Sequence, residues 1–132
     1  MKVATTLGLA VLLLTASVAF AQKAPTYPAG VKVEKAAAGQ VLANAKGMTL
    51  YTFDNDKVAG KSACNGPCAQ SWPPLAATAD AKPMGAWTVV TRDDGSNQWA
   101  YKAKPLYTWV KDTKPGDTTG DNFKNIWHVA KP

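Results

Sequence analysis

An internal repeat constrains this sequence more than any other feature. The segment 50–56 (LYTFDND) recurs further along the chain as 106–112 (LYTWVKD). A tryptophan follows the motif tyrosine at nearly the same distance in both copies, Trp72 after Tyr51 and Trp127 after Tyr107. One such unit is too small to bury its own apolar face, so two must share a core. The sequence therefore predicts one small sandwich or barrel-like fold, built from two related β repeats.

The composition predicts a core made largely of aromatic rings. Residues 22–132 contain 13 Ile, Leu and Val side chains against 11 Trp, Tyr and Phe. So many aromatics, with a charged fraction of 18%, can bury enough surface to offset chain entropy, so disorder is not expected. A chain of 132 residues allows one ordinary domain. We assign 22–30 to an extended leader and 31–132 to a single β domain, with repeats at about 47–75 and 103–130.

Short β-type runs separated by turn residues predict a mainly β protein. The clearest hairpin signal is Asp93-Asp94-Gly95-Ser96, which joins the runs 87–91 and 98–102. The other predicted strands include the alternating Val31 and Val33 and the runs 49–53, 106–110 and 126–130. No stretch carries a long amphipathic pattern, and at most one short helix is expected, near Cys68 after Pro67.

The segment 1–21 has the pattern of a secretory signal peptide. Lys2 gives a positive start, 7–20 are apolar, small or hydroxylated, and Ala19-Phe20-Ala21 matches the small-x-small cleavage pattern. Cleavage after Ala21 would leave a periplasmic or secreted protein with 14 basic and nine acidic residues, a formal charge of +5. That charge favours anionic surfaces or polymers. We expect neither a membrane span nor a nucleic-acid partner.

The side chains of the repeated motif have two alternative roles. They are Tyr51, Phe53, Asp56, Tyr107, Trp109 and Asp112. In each copy the two aromatic residues are two positions apart, so they share one face of a strand and point inward. The aspartate follows the strand, where a carboxylate accepts hydrogen bonds from turn amides or from a tyrosine hydroxyl. The functional alternative is a Tyr–Asp acid–base pair, but repetition of the whole set in both halves fits an architectural role better.

These motifs resemble those of a known family. The two Tyr-x-(Phe or Trp)-x-x-Asp motifs are similar to those of the bacterial secreted-repeat family, predicted lipoproteins with a Yx(FWY)xxD motif. Three further segments share the resemblance: Cys64-Asn65-Gly66-Pro67-Cys68, Trp72-Pro73-Pro74-Leu75 and Trp127-His128-Val129. The resemblance covers roughly 47–132 and implies an extracytoplasmic location without an established biochemical activity. The lipidated cysteine of the lipoprotein members is missing, since no cysteine lies near the predicted cleavage site.

The two cysteines are expected to form a structural disulfide. Cys64 and Cys68 are the only thiols in the sequence, and export would place them where disulfides persist. They are about one helical turn apart, and Gly66-Pro67 can bend the chain to close the gap. A ring this small contributes about 2 kcal/mol through loop entropy. A redox couple and a metal site are the alternatives, although the Cys-x-x-Cys spacing and βαβ context of thioredoxin-like enzymes are missing.

Few residues are suited to metal binding or catalysis. A single histidine, His128, excludes a multi-histidine zinc or blue-copper site. The weak alternative is a Cu(I) site in which His128 and one methionine, Met48 or Met84, join the two reduced cysteines, and no cofactor is otherwise expected. Motifs for haem attachment, phosphate-binding loops, nucleophile elbows and paired catalytic carboxylates are missing from the sequence. Catalysis is therefore disfavoured.

Two classes of function follow. The first is an exported, non-enzymatic envelope module that binds a glycan, an anionic polymer or a partner protein. Its candidate ligand-binding residues are Trp99 and Tyr101, which share a strand face beside the predicted hairpin, together with Lys102 and Lys104. These two rings are at least as well suited to packing in the core. The second class is an extracytoplasmic redox or copper-handling accessory protein that uses the two cysteines.

Overall fold

The computed structural model describes residues 3, 8–16 and 25–132. The predicted cleavage site at Ala19-Phe20-Ala21 lies outside the described residues. Within these ranges, no helix combines the length and the apolar character needed to cross a membrane.

The described residues form seven short strands and one short α-helix. The strands are β1 Val31–Ala36, β2 Gly39–Asn44, β3 Tyr51–Phe53, β4 Trp87–Thr91, β5 Asn97–Tyr101, β6 Lys104–Pro105 and β7 Trp127–Val129; the helix α1 is Pro67–Ser71, and a 3-10 helix is Phe123–Asn125. They form three small antiparallel sheets, β1–β2, β3–β7 and β4–β5–β6. The predictions of a mainly β fold and of one short helix at the cysteine pair are confirmed.

One predicted hairpin is present in the structure, whereas one predicted strand is not. The predicted hairpin joins β4 to β5, and Arg92 N donates to Ser96 O at 2.8 Å within its turn. The predicted strand 106–110 is wrong, because this segment forms only isolated bridges at Tyr107. One partner segment contains Pro73 and Pro74, which lack amide hydrogens, so a continuous ladder cannot form on that side.

The two repeats meet at a reciprocal backbone contact between their motif tyrosines. Tyr51 N donates to Tyr107 O at 2.7 Å, and Tyr107 N donates to Tyr51 O at 3.0 Å. These two tyrosines occupy the same position in the two copies of the motif. The contact therefore relates the repeats as a local twofold axis would.

Each repeat gives its final segment to the other repeat. Ala130 N, at the end of the second repeat, donates to Leu50 O of the first at 2.8 Å. Leu75 N, at the end of the first repeat, donates to Leu106 O of the second, also at 2.8 Å. Because the exchange is reciprocal, neither repeat completes its own set of backbone hydrogen bonds.

The conformation of the chain also repeats. Three pairs of residues with the same spacing as the two motif tyrosines have similar positive φ angles: Gly39 and Gly95 (100° and 84°), Gly60 and Gly116 (81° and 85°), and Gly66 and Asn122 (58° and 59°). Residues other than glycine rarely adopt such positive φ angles. The two halves therefore follow the same path through their turns, beyond the short motif visible in the sequence.

Aromatic rings fill much of the core. Part of it is a continuous stack in the order Phe53, Trp127, Trp72 and Trp109, with successive ring centroids 4.1, 3.8 and 4.1 Å apart. Gly120 permits this packing, because a Cβ at that position would lie 2.7 Å from Cη2 of Trp72. The stack follows from the sequence, which supplies few aliphatic side chains and many large rings.

Candidate functional site

The motif tyrosines and aspartates hydrogen-bond across the two repeats. Tyr51 Oη donates to Asp112 Oδ2 at 2.6 Å, and Tyr107 Oη donates to Asp56 Oδ2 at 2.7 Å. Both tyrosine residues are fully buried. The sequence left turn amides and a tyrosine hydroxyl open as donors to each carboxylate, and it did not indicate that the tyrosine belongs to the other repeat.

The second oxygen of each carboxylate closes the loop that follows its own motif. Asp56 Oδ1 accepts the amide hydrogen of Ala63 at 2.6 Å, and Asp112 Oδ1 accepts that of Thr119 at 3.0 Å. In both repeats the amide lies the same distance along the chain after the aspartate. Each aspartate therefore fixes a loop and joins the two repeats at once.

Burial shifts the pKa of three groups in this network. It raises the pKa of both Tyr51 and Tyr107, and the hydrogen bond to the partner carboxylate acts in the same direction. Burial also raises the pKa of Asp56, against the lowering effect of the hydrogen bond from Ala63 N. Neutral, buried hydroxyls have no access to a substrate, so the geometry supports the architectural role of the motif.

Arg92 is a buried residue whose role the sequence analysis missed. Arg92 is only 5% exposed. Its guanidinium donates to Cys64 O at 2.6 Å, to Gln98 Oε1 at 2.7 Å and to Ser62 Oγ at 3.0 Å. All three acceptors are neutral groups. Arg92 is the single arginine among 15 basic residues. This rarity was the one feature of the sequence that could have pointed to a special role. It ties the loop that carries the cysteines to β5.

The disulfide between Cys64 and Cys68 is present, with the two Cα atoms 5.2 Å apart. Cys64 is fully buried, and Cys68 is half-buried at the start of α1. Because Arg92 holds the Cys64 carbonyl, the disulfide closes a loop that is already anchored. A redox role would need an exposed thiolate of low pKa, and a buried Cys64 does not favour one.

The other candidate metal ligands have separate environments. His128 Nε2 lies 2.8 Å from Asp54 Oδ2, and His128 Nδ1 lies 3.3 Å from Asn122 Oδ1. Met48 follows a turn in which its amide donates to a side-chain oxygen, whereas Met84 lines an apolar hollow. In the part of the chain that the structure describes, no group of three His, Cys, Asp or Glu side chains could hold a metal ion.

The candidate ligand-binding residues are divided between core and surface. Trp99 is 7% exposed and packs edge-on against Trp87, with ring centroids 6.3 Å apart. Tyr101 is half-buried and packs against the same ring at 4.8 Å. Lys102 and Lys104 are exposed. The structure thus brings three of the four candidates together at the surface and places Trp99 in the core.

A hollow of about 200 Å³ beside Tyr101 is lined by lysines. Lys102, Lys104 and Lys131 contribute to its wall, and Lys102 Nζ lies 5.1 Å from the centre of the Tyr101 ring. Lys131 was not expected from the sequence; its Nζ donates to Ala38 O at 2.9 Å. The described residues of this wall include no acidic side chain. We call Tyr101 and these three lysines the Tyr101 surface.

The turn that carries Lys102 is strained. Lys102 and Ala103 connect β5 to β6 with positive φ angles of 49° and 67°. Two-residue hairpin turns of this kind favour Asn-Gly, because other side chains adopt left-handed conformations at a cost. Strain of about 1–3 kcal/mol per residue is typical of functional positions. The strain here lies directly beside the cationic hollow.

A larger apolar hollow adjoins Tyr101. Its volume is about 530 Å³, and its lining includes Tyr27, Met84 and Trp87. Tyr27 belongs to the predicted leader and packs edge-on against Trp87, with centroids 6.2 Å apart. Tyr101 therefore lines an apolar hollow and a cationic one.

The fold and its contacts define a class of protein: two β repeats that interlock through exchanged segments and reciprocal Tyr–Asp hydrogen bonds. A family model described as a secreted repeat of unknown function matches residues 32–76 and 88–131. These ranges cover more than half of the chain, so the chain belongs to this family of secreted repeats. Both begin upstream of the motif-based boundaries, because they include the hairpins β1–β2 and β4–β5.

No curated protein and no solved structure matches the chain.

Proposed function

We propose that this chain is an exported, non-enzymatic module that binds an acidic polysaccharide of the cell envelope at the Tyr101 surface. The observation that carries the proposal is the cationic hollow, whose described lining includes three lysines and one tyrosine but no acidic side chain. An exported chain with a formal charge of +5 after cleavage would also attract polyanions at long range.

The lysines favour a repeating anion over a single one. Each exposed ammonium–carboxylate contact contributes only about 0–1 kcal/mol. A polymer with a carboxylate on each sugar can engage Lys102, Lys104 and Lys131 at once, and linked contacts gain from effective concentration. The arrangement therefore suits an acidic polysaccharide better than a small anion.

Tyr101 supplies a rigid surface for the sugar ring. Its packing against Trp87 holds the phenol in place, so little side-chain entropy is lost on binding. A tyrosine ring has an apolar face and a polar tip, which suits the mixed apolar and hydroxylated surface of a sugar. The strained turn places Lys102 against the same ring. Tyrosine and lysine thus act on one ligand site.

Two observations support a non-enzymatic role. The motif hydroxyls and carboxylates, which would be the first candidates for acid–base catalysis, are paired with each other in the core. Both thiols are joined in the disulfide. The Tyr101 surface itself offers lysines and a phenol, which bind anions and sugars without requiring a reaction.

Export is proposed through cleavage after Ala21. The Ala19-Phe20-Ala21 pattern supports the site, and the secreted character of the family agrees with it. The intact mass of the exported protein tests this proposal. A mass that starts at Gln22 is expected, and exported material that retains Met1 would contradict it.

Binding is tested with polygalacturonate, with neutral dextran as the control polymer. Lys102→Gly removes one ammonium and relieves the left-handed strain. Ala103→Gly makes the same backbone change at the neighbouring position without loss of charge, and is the matched control. We expect Lys102→Gly to weaken polygalacturonate binding about two- to fivefold, and about tenfold or more when Lys104→Gln is added.

The binding measurements distinguish a charge-dependent site from nonspecific binding. Binding that weakens with added salt, spares Ala103→Gly and is missing for dextran supports the proposal, because salt screens exposed charges. Equal affinity of Lys102→Gly and Ala103→Gly for polygalacturonate, or equal binding of the two polymers, would overturn it. Calorimetric titration supplies the affinities, and thermal melting verifies that the variants are folded.

A further inference from the structure

A second hollow, of about 410 Å³, lies where the two repeats meet. Its ten described lining residues form five pairs across the two repeats, three of them 56 residues apart and two 55 residues apart. Two of these pairs are aromatic, Phe53 with Trp109 and Trp72 with Trp127. We call this site the seam hollow. The four residues of these two aromatic pairs belong to the single stack in the core, with Phe53 and Trp109 at the two ends and Trp127 and Trp72 between them.

The remaining three pairs combine unlike side chains. They are Pro67 with Phe123, Cys68 with Lys124, and Ser71 with Ile126. The first repeat thus contributes α1 with its disulfide sulfur, and the second contributes a phenyl ring and an ammonium group. Lys124 is the one charged side chain among the described lining residues. The seam hollow is therefore bordered by one stack of four aromatic rings and has a single cationic end.

We propose that the seam hollow binds a planar aromatic molecule that carries one acidic group. Its volume lies in the range of small-molecule sites, which are mostly apolar with a few placed polar groups. Ser71 and Lys124 are the only hydroxyl and ammonium in the described lining. A sugar would leave most of its hydroxyls without partners there, which costs free energy. A flat ring system with one anion matches both the aromatic lining and the cationic end.

The partly exposed rings beside the aromatic stack support a flat ligand. Trp72 and Trp127 are parallel within 2° at 3.8 Å, and Trp109 continues the stack on Trp72 at 25°. Trp109 and Phe123 are half-buried, so parts of both rings face the hollow. Aromatic rings gain about 0.5–1.5 kcal/mol from offset stacking or edge contacts beyond the area they bury. A planar guest can make such contacts with either ring.

The backbone that carries Lys124 into this site is strained. Lys124 has a φ of 51°, between Asn122 and Asn125, which both have a φ of 59°. Asparagine tolerates this conformation, whereas lysine adopts it at a cost. Lys124 Nζ lies 5.6 Å from the centre of the Phe123 ring. Strain of this kind concentrates at functional positions, and here it places a positive charge over an aromatic wall.

Two probes of nearly equal shape test the proposal. They are 8-anilinonaphthalene-1-sulfonate, an aromatic monoanion, and N-phenyl-1-naphthylamine, its uncharged counterpart. We expect both to bind at one site per chain and to quench tryptophan fluorescence. Lys124→Gly should lower the affinity for the sulfonate about five- to tenfold and leave that for the amine unchanged. Asn125→Gly relieves similar strain without loss of charge and should change neither.

A blocking variant tests the location. Ser71→Phe adds a ring inside the seam hollow and should lower the affinity for both probes about tenfold. Gln70→Phe adds the same ring to the exposed neighbouring position of α1 and should have no effect. Absence of saturable binding, or equal binding by the Ser71 and Gln70 variants, would overturn the site. If Lys124→Gly lowers the affinity for both probes equally, the proposal that the ligand carries an acidic group is wrong.

Discussion

Tyr51 of the first repeat donates its hydroxyl hydrogen to Asp112 of the second, 2.6 Å away and shielded from solvent. Tyr107 and Asp56 form the reciprocal bond at 2.7 Å. The motif that marks each repeat in the sequence therefore acts between repeats. Because the final segments are exchanged as well, each repeat is incomplete without the other, and the seam hollow exists only where both are present.

Asp56→Asn should change how stability depends on pH. Burial raises the pKa of Asp56 above its ordinary 3.8, so the folded state keeps this proton to a higher pH than the unfolded state. The stabilisation from this group is complete below pH 3.8 and is lost as pH rises through the folded-state pKa. The asparagine retains an acceptor for Ala63 N and loses the titration. The variant should gain stability relative to the parent across that window.

Urea denaturation at a series of pH values measures this difference. A free-energy difference between Asp56→Asn and the parent that stays constant from below pH 3.8 up to neutrality would contradict the raised pKa.

Arg92→Met should destabilise the fold by about 2–4 kcal/mol. The methionine keeps part of the apolar stem but leaves Gln98 Oε1 without its donor and Cys64 O with only the 3.4 Å hydrogen bond from Ser62 Oγ, and poorly paired buried acceptors are costly. Arg92→Lys should also lose stability, since one ammonium lacks the planar fork that reaches several acceptors. Lys111→Met, at an exposed position, is the control and should change stability by less than about 0.5 kcal/mol. Full stability of Arg92→Lys in chemical denaturation would refute this role.

Replacing both Cys64 and Cys68 with serine should lower stability by about 1–3 kcal/mol, because a short disulfide loop restricts the unfolded chain only modestly. The fold should persist, since Arg92 still anchors the loop. Alkylation of two thiols in protein purified without reductant would show that the disulfide does not form in the cell.

Trp99→Ala and Tyr101→Ala should have different effects, because Trp99 lies in the core and Tyr101 lies partly at the surface. Trp99 is 7% exposed, so its loss should cost about 3–5 kcal/mol. Tyr101 is half-buried, so its alanine variant should lose less stability and bind polygalacturonate several-fold more weakly. Thermal melting and calorimetric titration measure the two effects. If Tyr101→Ala melts as early as Tyr107→Ala, then Tyr101 is a core residue and the proposed binding face is wrong.

Local pattern was sufficient for much of the fold. Each copy of the repeated motif, the β4–β5 hairpin and the disulfide depend on residues close in sequence, and all three were predicted. The exchange of final segments was not, because Ala130 and Leu50 are distant in sequence and apolar patterning does not specify which repeat a strand joins. The pairing of Tyr51 with Asp112 follows from that exchange.

In the candidate sites, too, contacts between residues close in sequence were predictable and contacts between distant residues were not. Tyr101, Lys102 and Lys104 are neighbours in the chain, so their proximity was predictable. Lys131 reaches the same hollow only through the fold, and nothing in its local sequence marks it. Trp99 and Tyr101 share a strand face as predicted, but the pattern does not reveal which ring is covered.

Two double-mutant cycles test most directly whether the repeats are joined through their motifs. The cross-repeat cycle combines Tyr51→Phe with Asp112→Asn, and the within-repeat cycle combines Tyr51→Phe with Asp56→Asn. Denaturation should give a coupling free energy of about 1–2 kcal/mol for the first and near zero for the second, because only Tyr51 and Asp112 share a hydrogen bond. Coupling confined to the within-repeat pair, or equal in both, would contradict the exchanged arrangement.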